Sequence, residues 1–149
     1  MIEEEELTGR IIKVFYKVYN ALGYGFIESV YHNAMILELG RDGLIVETEK
    51  PIAVFYDGRI VGSFSADLVV ENRVILELKA REKLVEAHEV QLVNYLRATE
   101  IEIGLLLNFG KTPEFKRKFF SNKNKSLNGP LAAANMLENL FTDNPFESA

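Results

Sequence analysis

The sequence predicts an α/β domain, a mixed four- to five-stranded sheet flanked by helices. Three observations carry that expectation. Apolar residues recur at helical spacing through residues 11–39. A stretch rich in β-branched and aromatic residues follows, interrupted only by tight turns. A long helical segment then leads into one more apolar strand.

Ile11, Ile12, Phe15, Val18, Tyr19 and Leu22 mark one face of a first helix, which Gly23 and Gly25 stop. A second helix runs from about residue 26 to 40, with Val30, Tyr31, Ala34, Met35 and Leu39 on its buried stripe. Residues 52–56 and 60–70 read as strands around Asp57-Gly58, a two-residue hairpin signal. Glu71-Asn72-Arg73 makes the next turn, and residues 74–79 form the third strand. Turns this short force the three strands antiparallel. Residues 84–98 are helical again and return the chain to an apolar strand at 103–108, a right-handed crossover. Residues 115–120 can add a short strand. Leu131, Met136, Leu137, Leu140 and Phe141 suggest a short helix over 131–141.

Composition narrows the class. A chain of 149 residues holds one domain with a substantial core, expected over 1–120, with a tail over 121–149. There is no cysteine, so disulfides and thiolate zinc sites are excluded. The start, MIEEEELTGR, lacks the basic flank and apolar run of a signal peptide, and no segment has the roughly 20 apolar residues of a membrane span. A cytoplasmic protein without membrane association is expected. The net charge is −5, yet Lys111, Lys116, Arg117, Lys118, Lys123 and Lys125 face one acid, Glu114, in their stretch. Such a segment can contact phosphates or simply keep the chain soluble. Lys116 and Lys118 fall on one strand face and are expected to act together, with Arg117 on the other.

The chemistry concentrates in VILELKA, residues 74–80. Alternation puts Glu77 and Lys79 on one face of an otherwise apolar strand. The preceding strand carries Asp67 within SADLVV, and a three-residue turn brings it beside Glu77. Two carboxylates in a partly buried site repel unless a cation neutralises them, and a hard cation such as Mg²⁺ or Mn²⁺ suits such oxygen ligands. The plainer reading, an ion pair between Glu77 and Lys79 on a solvent-facing strand, carries equal weight on spacing alone.

The pattern D-x9-E-L-K, with E-x-K on the strand after the aspartate, resembles the motif of the PD-(D/E)xK nuclease superfamily. The element order resembles its restriction-endonuclease-like αβββαβ core. Gly25-Phe-Ile-Glu28-Ser-Val-Tyr31 resembles the signature of the GxxExxY family within it, and HEVQLVNYL, with His88, Gln91 and Tyr95, is similar to that family's second-helix motif. Ala66 stands where the superfamily's name has proline. The likeness spans residues 11–120.

The resemblance implies that Asp67 and Glu77 are metal ligands, with the Leu78 carbonyl, and that Lys79 orients water or stabilises charge on phosphate. It implies that Glu28 supplements the metal shell and that Gln91 lies near the site. Each residue also has a simpler reading. Tyr31 and Tyr95 suit core positions, His32 and His88 suit ordinary hydrogen bonding, and Glu28 suits a helix N-terminus. Three function classes follow. One is a metal-dependent nuclease acting on DNA or RNA. Another is a catalytically weak or inactive nucleic-acid-binding or regulatory module on the same fold. The third is an oligomeric protein, such as a homodimer, that uses the C-terminal helix as its contact.

Overall fold

The computed structural model describes residues 1–125. Two helices come first, α1 (Glu4–Leu22) and α2 (Glu28–Arg41). Strands β1 (Val46–Tyr56), β2 (Arg59–Val70) and β3 (Val74–Lys79) follow, then α3 (Glu86–Arg97), β4 (Ile103–Phe109) and β5 (Pro113–Phe119). The five strands form one sheet in chain order. β1–β2 and β2–β3 are antiparallel, β3–β4 is parallel across the α3 crossover, and β4–β5 is antiparallel. The α/β class and mixed sheet are those expected.

Alternation along the strands sorts side chains between two cores. Leu68, Leu76 and Leu105 face α1 and α2, where they meet Phe15, Tyr31 and Met35. Val69, Ile75 and Leu106 face the other way, beneath Leu92 and Leu96 of α3. β3 and β4 are covered on both faces, which is why they read as continuous apolar runs. An acid in β3 is therefore conspicuous.

Several boundaries differ from expectation, three of them for a clear physical reason. α1 begins at Glu4, ahead of the apolar stripe that starts at Ile11, and Glu4, Glu5 and Glu6 occupy its first turn, where the helix dipole favours them. β1 begins at Val46 rather than residue 52. Its first half, Val-Glu-Thr-Glu-Lys-Pro, is polar and holds a proline, both tolerated because β1 is an edge strand. α3 begins at Glu86, and residues 80–85 form a loop instead of its first turn. The helix expected over 131–141 lies outside the described residues.

The α1–α2 connection positions α2. Gly23 (φ 70°) and Gly25 (φ 109°) take left-handed backbone that side-chain-bearing residues resist. The Tyr31 hydroxyl donates to the Gly23 carbonyl at 2.7 Å and accepts from the Phe26 N–H at 3.2 Å. Its ring is fully buried and stacks on Phe109 at 4.3 Å. One side chain thus ties the loop to the sheet. Tyr31→Phe keeps the stack and removes both hydrogen bonds. It should cost about 1–2 kcal/mol in denaturant unfolding, because the freed loop groups regain water.

Candidate active site

β2 and β3 pair at only three positions, ending at Leu68↔Leu76. The next facing pair in that register is Asp67 and Glu77. There β2 leaves with β1 while β3 continues along β4 as far as Lys79↔Asn108. Carboxylates fill the opening. The Asp67 N–H donates to Glu77 Oε1 at 3.2 Å, and the Leu78 N–H donates to Asp67 Oδ2 at 2.9 Å. Each acid satisfies backbone that the lost ladder would leave bare.

Glu77 is 5% exposed, in line with Ile75 on the α3 side of the sheet. Burial, and then the Asp67 charge, push its carboxyl up to about 8, although the Asp67 N–H and Lys79 oppose this. A hydrogen bond between the two side chains pushes the same way, because two adjacent anions repel. Lys79 is half-buried on the same strand face. Among the described residues it makes no ion pair, so the Glu77–Lys79 pair of the plainer reading does not form. Its ammonium is available.

Other groups form the rim. Gln91 is exposed and hydrogen-bonds Tyr95 instead of lying in an apolar stripe. Tyr95 stacks on Phe64 of β2 at 3.7 Å, and burial, with Glu77 and Asp67, raises its hydroxyl pKa. His32 Nε2–H donates to the Asp67 carbonyl at 3.1 Å, which holds α2 to β2 beside the acid pair. Glu28 starts α2 one turn earlier and is exposed. The Val85 N–H donates to His88 Nδ1. Burial lowers the His88 pKa, helped by Lys79 and Arg81 and opposed by Glu28, so the ring is a neutral Nε2–H donor.

Asn108 was not anticipated. It is 1% exposed, accepts the Arg81 N–H at 2.9 Å and donates to the Arg81 carbonyl at 2.9 Å. This clamp holds the loop that follows Lys79, and a side chain at Gly110 would collide with the same carbonyl. The signal was present: a polar residue near the end of IGLLLNF, in the register row of Lys79.

The basic segment divides differently from expectation. Glu77, Leu106 and Lys116 lie in one row across β3, β4 and β5, so Lys116 stands about 10 Å from Glu77 by strand spacing. Lys118 shares that face but is ion-paired with Glu89 of α3 at 2.7 Å, which ties up its charge. Arg117 lies on the opposite face, beside Leu105.

Among the described residues no three His, Asp or Glu side chains gather to hold a metal ion, so Glu28 does not join Asp67 and Glu77 in one cluster. The pair itself fits a hard cation. Its donors are all oxygen, and the raised Glu77 pKa reflects a charge repulsion that a cation would relieve.

An acid pair, and a lysine with no ion pair among the described residues, thus stand at the open end of a splayed strand pair in a mixed sheet between helices. The family model of the PD-(D/E)XK nuclease superfamily matches residues 5–118, and the chain belongs to that superfamily. No curated protein and no solved structure matches it significantly. Nucleases of this superfamily generally use divalent metals. No described helix is long and apolar enough to cross a membrane.

Because the folded Glu77 pKa lies above its unfolded value, its stabilising protonation is complete below about 4.5 and is lost as pH rises through about 8. The melting temperature of the metal-free protein should therefore fall from pH 5 toward 8.5, by a stability change of a few kcal/mol. Glu77→Gln supplies a permanent N–H to Asp67 and keeps the Oε1 acceptor. It should flatten this fall and melt higher than wild type at alkaline pH. Mg²⁺ should raise the wild-type melting temperature most at the alkaline end and leave the variant unmoved.

Proposed function

We propose that this protein is a metal-dependent nuclease of the GxxExxY type that hydrolyses phosphodiester bonds in DNA or RNA. One observation carries the reading: a buried glutamate shares a hydrogen bond with an aspartate beside a lysine that has no carboxylate partner among the described residues. A structural role would pair the lysine with one of the acids. Here the acids face each other and the lysine stands apart, an arrangement that a metal cation and a phosphate would complete.

Asp67 and Glu77, with the Leu78 carbonyl, would hold Mg²⁺ or Mn²⁺. Bound there, the ion would polarise the scissile phosphate and acidify a water. Lys79 then holds positive charge at the phosphate oxygens, where negative charge builds up. Glu28 and Gln91 act from the rim, Glu28 on the charge around His88 and Gln91 through Tyr95. Lys116 is the backbone contact of the basic segment. Arg117 and Lys118 contribute less, for the reasons of facing and pairing given above.

A second reading keeps the fold as a nucleic-acid-binding or regulatory module with little catalysis. It is favoured by the absence of a third acid near the pair among the described residues, and by backbone N–H groups occupying oxygens of both carboxylates.

Incubation with plasmid, single-stranded DNA and RNA separates the two. The nuclease should cleave at least one substrate with Mg²⁺ or Mn²⁺ and none with EDTA. Glu77→Gln and Lys79→Met should each lower the rate roughly 100-fold or more while circular dichroism stays unchanged. Binding without cleavage under every metal condition would replace the nuclease with the module. Lys116→Gln should reduce the slope of log affinity against log salt by about 1, whereas Arg117→Gln should leave it nearly unchanged.

A further inference from the structure

The geometry points to a base-stacking subsite on the loop from Gly23 to Ile27, and to a substrate whose bases are unpaired beside the cleaved phosphate. The inference rests on the nuclease reading for what lies next to the loop. The loop's own shape does not depend on that reading.

Tyr24, Phe26 and Ile27 are 59%, 48% and 71% exposed within a few residues of one another. Large apolar side chains exposed this close together suit a contact surface. It is held outward by construction. Two left-handed glycines set the backbone, and the buried Tyr31 hydroxyl binds both Gly23 and Phe26. Phe26 packs edge-on with Tyr31, their ring centroids 6.2 Å apart, so its ring is partly ordered before any ligand arrives. Preordered rings lose little entropy on binding.

The loop's position names the occupant. Ile27 precedes Glu28 at the start of α2, and His32, one turn later, binds the Asp67 carbonyl. Asp67 in turn accepts the Leu78 N–H, so the start of α2 lies beside the end of β3 that carries Lys79. Lys79, Arg81 and Lys83 form no ion pair among the described residues. Aromatic faces beside free cations match the two parts of a single strand, flat bases and a charged backbone. A duplex hides its base faces in its own stack and presents only edges to a protein. The arrangement therefore selects single-stranded, frayed or looped nucleic acid.

The test uses the full chain in EDTA, with oligothymidylate and oligouridylate of about 20 nucleotides and duplexes of the same length. The sequence holds no tryptophan, so Phe26→Trp introduces a single reporter. Stacking should quench its fluorescence saturably with a single strand and little with a duplex. Tyr24→Ala/Phe26→Ala should lower single-strand affinity roughly tenfold or more, read by anisotropy of a labelled oligonucleotide. Its duplex affinity should change by about twofold at most. Tyr24→Trp/Phe26→Trp should retain single-strand binding, which excludes general damage. The subsite is overturned by an unquenched reporter, by equal losses on single and double strands, or by a wild-type chain that binds neither oligonucleotide. Cleavage is scored separately with Mn²⁺. Ring-dependent binding without cleavage keeps the subsite and removes the nuclease, whereas cleavage with ring-independent binding does the reverse.

Discussion

The structure turns on one exchange: Asp67 and Glu77 each accept a backbone N–H from the other's strand where β2 and β3 part. A regular hairpin would continue its ladder to the ends of both strands. Here side-chain oxygens take over, so the strands diverge without leaving buried donors bare. The sheet consequently opens at the point where two acids meet. Burial and the Asp67 charge, which raise the Glu77 pKa, are the local cost of that opening.

The surrounding elements can be understood as supports for the opening. α2 is tied to β2 by His32 and to β4 by Tyr31 stacking on Phe109. α3 closes the other face through Leu92 and Leu96, and the ring of its Tyr95 lies against Phe64. Asn108 fixes the loop beyond Lys79 with two hydrogen bonds to a single residue. Apart from the bond of His32 to the Asp67 carbonyl, none of these contacts involves the acid pair. The supporting shell can thus hold the geometry while the pair changes its protonation or charge.

Electrostatics across the face are uneven in a way that the net charge conceals. The chain is acidic overall, and four of its acids lie in the run Glu3–Glu6 at the start of α1. Around the site, Lys79, Arg81 and Lys116 form no ion pair among the described residues, while Lys118 is held by Glu89. Local potential rather than total charge governs the approach of a polyanion, and such steering weakens with salt.

Much of the fold was legible because periodicity reports burial directly. The helix–hairpin–strand order, the antiparallel first three strands and the parallel fourth all follow from spacing and turn length. The juxtaposition of Asp67 with Glu77 followed from the length of a single turn, and the separation of Arg117 from Lys116 followed from alternation. Local sequence could not reveal contacts between distant segments. The start of β1 was hidden because an edge strand tolerates charge and proline. The capture of Lys118 by Glu89, the displacement of Gln91 to the rim and the clamp made by Asn108 depend on how α3 and the β3–α3 loop lie against the sheet. Sequence determined which strands carry the acids and on which face. Only the tertiary structure decided that the strands part there, that Lys79 stays free, and that Glu28 remains outside the pair, because each depends on packing between elements far apart in the chain.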